Sequence, residues 1–243
     1  MSDIDPVIGA NVDLLARRFE QIAHNLANAN TAGFKRYTSD FMQVLQGQLG
    51  QGMELPSAQL QVKDAIDFSQ AHLQYSGRTF DLAIVGKGFF VIETPSGPLY
   101  TRNGMFQLNQ NGQLCDSQGR LVAGEAGPIL VPAGTDPNQI KVANDGSISI
   151  GPTRVGRIRI ADFGNQQDRL VPAGECCFAA PPDLVPAAAQ GAQVKQGFLE
   201  SSNVQMVQEL VDMITVSRLY ETNMRFLAAK RDTSKSIIDV AMG

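Results

Sequence analysis

The 243-residue chain is 43% apolar, enough to bury a sizeable core, which excludes disorder throughout and sets an expectation of one or two globular units. Its formal net charge of -4 comes without a block of Lys or Arg, which excludes nucleic acid as the main partner, and no apolar run approaches the ~20 residues that span a bilayer, which excludes direct membrane insertion. Cys115, the vicinal pair Cys176 and Cys177, and two histidines, His24 and His72, form neither a disulfide framework nor a zinc cluster, so the cysteines read as small apolar packing residues.

The chain opens Met1-Ser-Asp-Ile-Asp-Pro6, without a cationic stretch leading into an apolar core, so a cleaved secretory signal is not expected. Asp5 can cap a helix and Pro6 suits its first position. Beyond them Ile8, Val12, Leu15, Phe19, Ile22, Leu26 and Ala29 keep an unbroken four-three spacing and are all apolar. A stripe this narrow predicts either a coiled-coil seam or an amphipathic helix docked on its own domain. Matching heptads at the far end of the chain favour the seam. The stripe ends in Asn25-Leu-Ala-Asn28-Ala-Asn30-Thr31-Ala-Gly33-Phe34-Lys35, where Asn and Gly permit a sharp turn that delivers Phe34 to an apolar site.

Residues 37–79 are predicted as an extended connector with local helix at most, because glutamines, Gly47, Gly50, Gly52 and Pro56 leave little periodicity. From Phe80 the pattern changes to short apolar runs and period two. Leu82–Val85 and Phe89–Ile92 flank the turn residues Gly86-Lys87-Gly88, and Asn103-Gly104, Asn111-Gly112 and Asp145-Gly146 offer positive-φ pairs for hairpins. No helical period intervenes, which predicts an antiparallel β sandwich or barrel over 80–197. Pro181, Pro182 and Pro186 mark the return towards the last segment.

Phe198 to Met242 contains neither Gly nor Pro and is predicted as one long helix, roughly 65 Å if fully helical, opened by a capping box of Ser202 and Gln205. Met206, Leu210, Met213, Ser217, Tyr220, Met224, Leu227, Arg231, Ser234, Ile238 and Ala241 follow the four-three spacing. Val204, Val207, Val211 and Ile214 form a second row that widens the stripe. The polar members Ser217, Arg231 and Ser234 would set register against non-identical neighbours. The fold expected from these elements is α+β: long N- and C-terminal helices forming a coiled-coil-like module (1–36 and 198–243), a connector (37–79) and an inserted β domain (80–197).

No constellation for chemistry emerges. Gly86-Lys-Gly-Phe-Phe lacks the third glycine and the following helix of a phosphate loop, and neither histidine has a nucleophile at motif spacing. No catalytic, cofactor-binding or metal-binding residue is therefore assigned.

Four stretches carry a resemblance. Asn28, Asn30, Thr31, Gly33, Phe34 and Lys35, placed after a heptad helix, resemble the signature of flagellar basal-body rod, hook and hook-filament junction proteins. Phe80–Phe90, Tyr100–Phe106 and Leu199–Val204 followed by Glu209–Ile214 are similar to that family's central and C-terminal motifs, in the family's order. Gly124–Ile129 and Asp145–Ser149 most resemble proximal-rod members, with distal-rod members next, whereas residues 171–196 match no family pattern. The resemblance implies a non-enzymatic structural subunit of the basal-body rod that transmits torque from motor to hook. Such a subunit polymerises through its terminal helices into a helical tube with copies of itself and other rod proteins. It also implies export by the flagellar type III apparatus as an unfolded chain. The interface residues, read from the helical stripes, are the N-terminal set Ile8 to Ala29 and, at the C-terminus, Met206, Leu210, Met213, Ile214, Tyr220, Met224, Leu227, Arg231 and Ile238. The alternatives are a distal-rod or hook-type axial subunit, or a β-rich enzyme or adhesin with a coiled-coil oligomerisation module.

Overall fold

A computed structural model describes residues 4–43, 60–136 and 139–242, with side chains described outside 1–8, 10, 39–64, 137–138 and 230–243. The chain divides into two units: Met1–Ala27, Tyr37–Asp67 and Val204–Gly243 form one, and Asn28–Arg36 with Phe68–Asn203 the other.

The first unit holds both α-helices of the described residues, α1 (Ile4–Ala27) and α2 (Met206–Met242), together with strands β1 (Arg36–Gln43) and β2 (Leu60–Asp67), which pair with each other. The helices touch, and Ile22 and Val216 are buried alongside the polar Asn25 and Glu209. No helix of the described residues is long and apolar enough to cross a membrane.

The expected α+β fold with a coiled-coil-like helical module is overturned. Among the described residues the chain is mostly β-sheet, with one α-helix near each end and a β-rich domain between them. Four-three spacing aligns side chains on one face, but a seam requires a second helix to cover that face over several turns. Here Phe19, Met206, Leu210, Tyr220 and Met224, all predicted seam positions, stay exposed. The C-terminal helix is also shorter than expected. Phe198–Glu200 is a strand, and α2 begins at Met206, its first turn closing where Glu209 N donates to Gln205 O at 3.0 Å. The strand forms because its backbone finds a ladder partner in Leu73–Tyr75, which a freely starting helix end cannot match.

The second unit is built from antiparallel pairs. Its largest sheet among the described residues has ten strands. The main path runs β15 (Val171–Pro172), β16 (Cys177–Ala179), β6 (Leu99–Thr101), β5 (Phe89–Glu93), β9 (Leu121–Gly124), β8 (Leu114–Cys115) and β7 (Gln107–Leu108). Beside it, β10 (Gly127–Pro128) pairs with β9, β14 (Ile160–Asp162) with β5, and β17 (Ala187–Ala188) with β14. A three-stranded sheet joins β11 (Ile140–Val142), β12 (Ser147–Ile150) and β13 (Thr153–Arg157). Two further pairs are β4 (Leu82–Val85) with β18 (Gln193–Gln196) and β3 (Leu73–Tyr75) with β19 (Phe198–Glu200). Residues 171–196, for which the resemblance implied nothing, thus supply β15 to β18. Alternate residues of several sheets meet in one core that includes Leu82, Ile84, Phe90, Ile92, Phe106, Val122, Ile148 and Val194.

Two of the expected turns differ. Leu82–Val85 and Phe89–Ile92 do not pair with each other: β4 takes β18 as partner, while β5 takes β6, β9 and β14. Asn103-Gly104 is not a hairpin turn either. The glycine is there for close approach, since a Cβ at Gly104 would sit 1.7 Å from Leu82 O. Asn111-Gly112 and Asp145-Gly146 do lie between paired strands, β7 with β8 and β11 with β12.

Candidate assembly site

The Asn-rich end of α1 is explained by two hydrogen-bonding arrangements, one in each unit. In the helical unit, Asn25 is buried and acts as a surrogate strand neighbour for the chain entering β1. Its Nδ2 donates to Tyr37 O at 2.9 Å and its Oδ1 accepts from Tyr37 N at 2.8 Å. The same Nδ2 lies 3.4 Å from Glu209 Oε2, on the first turn of α2. Gln21 Nε2 donates to Thr38 O, and the His24 ring meets Tyr37 edge to face at 4.9 Å.

In the β unit, the turn after α1 is made by Thr31, whose N and Oγ1 both donate to Asn28, each at 3.1 Å. Gly33, at φ +69°, then passes so close to the Arg102–Asn103 backbone that a Cβ would lie 2.2 Å from Asn103 N. Phe34 is buried and Asn30 is exposed.

Lys35 runs inward to a node of three charges. Its Nζ donates to Glu200 Oε1 at 2.7 Å and to Ser69 O at 2.6 Å. Glu200 Oε1 also accepts from Ala71 N at 3.0 Å, while Oε2 accepts from Arg102 Nη1 at 3.1 Å. Arg102 Nη2 donates to Gly86 O at 2.7 Å, and its guanidinium lies over Phe89, 5.3 Å from the ring centroid. The Lys35 and Glu200 side chains are wholly excluded from solvent and Arg102 is nearly so, with its Nε lacking a hydrogen-bond partner. Burial pulls the Arg102 guanidinium below its usual range, and the Glu200 charge opposes that fall. Two cations share one carboxylate, so every bond to Glu200 carries weight.

The interface positions expected from sequence fall as follows. On α1, Ile22 is buried, Val12, Leu15 and Leu26 are half-buried and Phe19 is exposed, with half-buried Ala29 just beyond the helix. On α2, Met206, Leu210, Ile214, Tyr220 and Met224 are exposed, and Met213 and Leu227 half-buried. The side chains of Ile8, Arg231 and Ile238 lie outside the described residues. Sequence reasoning missed Glu200, Arg102, Asn25 and Glu209 as the partners that fix this region. The available signal was that Glu200 and Arg102 are charged residues inside family-like motifs.

Comparison with known proteins decides what these features belong to. The profile described as the flagellar hook protein FlgE/F/G D1 domain matches residues 83–150, and the one described as the flagellar basal body rod FlgEFG protein C-terminal matches 195–240. The flagellar basal-body rod protein FlgF of Caulobacter vibrioides is 32% identical over 231 residues, covering 93% of this chain and 92% of its own. The chain belongs to the flagellar basal-body rod protein family. FlgG of Agrobacterium fabrum is also 32% identical, over 259 residues and 96% of each chain, and FlgF of Mesorhizobium japonicum is 33% identical over 91% of this chain and 89% of its own. As a basal-body rod protein, the chain is a structural subunit and not an enzyme, it resides in the flagellar basal body, and it assembles with other rod and axial proteins. The buried polar network around Lys35 is accordingly architecture. It holds the rod-family motif and the residues before α2 in one place.

Proposed function

We propose that the chain is a proximal-rod subunit that polymerises through its terminal helices, so that helical packing between subunits carries torque from motor to hook. The observation that carries this reading is a dense run of exposed apolar side chains on the first turns of α2: Val207 is 77% exposed and Ile214 55%, with Met206, Leu210 and Val211 exposed between them. A cluster of this size on a water-facing helix marks a surface that another protein covers. Phe19 on α1 and Tyr220 and Met224 further along α2 extend it. Head-to-tail contacts of this kind build an open helical assembly unless a rotation closes them. The proximal position is supported by the likeness of Gly124–Ile129 and Asp145–Ser149 to proximal-rod members.

We further propose that the subunit leaves the cell unfolded through the flagellar type III export apparatus. All three cysteines are free thiols, so no covalent cross-link hinders an extended chain.

Locating the tagged subunit in purified basal bodies tests the main reading. Density in the rod nearest the motor is the expected result. Placement in the distal rod or hook would replace the proximal assignment, and absence from basal bodies would sink the assembly reading.

A further inference from the structure

Glu200 sits at a crossing of three stretches that are remote in sequence. Its carboxylate holds Lys35 and Arg102 and accepts from Ala71 N, while its carbonyl accepts from Gly33 N at 2.7 Å. Its neighbours extend the crossing: Ser201 N donates to His72 O at 3.0 Å, and Asn203 Oδ1 accepts from Arg36 N at 2.7 Å. Residues 198–203 therefore reach Gly33, Lys35 and Arg36 on one side and the chain around 69–75 on the other.

The charges make this crossing asymmetric. Lys35 and Arg102 are both cations in a dry setting, and a buried ammonium beside a guanidinium is tolerated only with a carboxylate between them. When Glu200 is absent or neutral, the cheapest escape is for the flexible Lys35 stem to withdraw to water, because Arg102 is anchored by Gly86 O and stacked on Phe89. Withdrawal of Lys35 takes Phe34 and the turn with it.

We propose that Glu200 is a latch: residues 28–36, the stretch bearing the family motif, become ordered only when residues 198–203 have docked and their carboxylate has reached Lys35. The segment leaving α1 and the segment entering α2 are then fixed in one step, so a chain whose C-terminal part has not docked presents neither in its final place. The latch rests on the geometry of the β unit and stands whichever part of the rod the subunit occupies.

Hydrogen exchange on the full-length monomer, read over peptides covering 28–36 and 89–101, tests it. In Glu200→Gln, the 28–36 amides should exchange roughly tenfold faster or more, while those of β5 and β6 keep their protection. Lys35→Met removes the excess cation but leaves the Arg102–Glu200 pair intact. It should fold readily, lie between wild type and Glu200→Gln at 28–36, and leave 89–101 unchanged. Equal acceleration of both regions in Glu200→Gln would make Glu200 a general stability residue and overturn the latch. Should that variant fail to fold, Lys35→Met decides: unchanged exchange at 28–36 would overturn the latch equally.

Discussion

Asn25 and Tyr37 exchange two hydrogen bonds across twelve residues, side-chain amide to backbone peptide, as two paired strands would. Only a carboxamide offers a donor and an acceptor at this spacing. Asn25→Asp keeps the shape, loses the donor to Tyr37 O and sets a carboxylate against Glu209. The expected cost is about 1 to 3 kcal/mol, read by chemical denaturation of the monomer. A loss smaller than the scatter between surface variants would mean that water substitutes for the amide.

Two glycines should respond to alanine with opposite sign. Gly33 combines φ +69° with a Cβ position overlapping the Asn103 backbone, so Gly33→Ala should cost about 2 to 4 kcal/mol. Gly9 lies inside α1 with nothing within 4 Å of its Cβ position. There Ala should raise helix stability by about 0.5 to 1 kcal/mol. Circular dichroism melting of the two variants side by side gives both signs.

Ile214→Asp separates folding from assembly. The side chain is exposed in the monomer, so stability should change by no more than about 0.5 kcal/mol. Incorporation into basal bodies and swimming should fail. A motile, fully assembled variant would remove α2 from the assembly surface.

Cys176 provides a pH dependence. Burial, with the neighbouring Cys177 and Glu175, pushes its thiol from 9.0 up to about 11. A raised acid pKa means that the unfolded chain gives up this proton first as pH rises. The contribution is therefore fully present below about pH 9 and is lost as pH climbs through about 11. Cys176→Ala should remove that part of the alkaline loss of melting temperature. At pH 8 the folded protein should react with iodoacetamide at Cys176 far more slowly than the unfolded chain. An identical alkaline slope with and without the thiol would count against the burial effect.

The sequence made α1 and most of α2 legible, because the Asn-Gly turn and a long stretch without Gly or Pro are local signals, although α1 starts at Ile4, ahead of the Asp5 cap and Pro6 first position expected for it. It could not show what covers a stripe. Four-three spacing names the residues that share a face, and whether Phe19 or Leu210 meets a partner within the same chain is a tertiary matter. Phe198–Glu200 escapes a reading of the sequence for a related reason. Nothing local forbids a helix there, and the strand exists only because Leu73–Tyr75, more than a hundred residues earlier, offers a ladder. Lys35 stands out as part of a motif, but its role is hidden in the sequence. A lone Lys and a lone Glu look like solvated surface until the topology closes over both.

That closure spans 165 residues between Lys35 and Glu200. A ribosome adding about 5 to 20 residues per second releases Lys35 on the order of ten to thirty seconds before its counter-ion has been synthesised. Throughout that interval the ammonium has water as its best neighbour. On the unfolded export proposed above, the pair closes only after both residues have left the cell, and the N-terminal entry of the β unit stays unsealed until then.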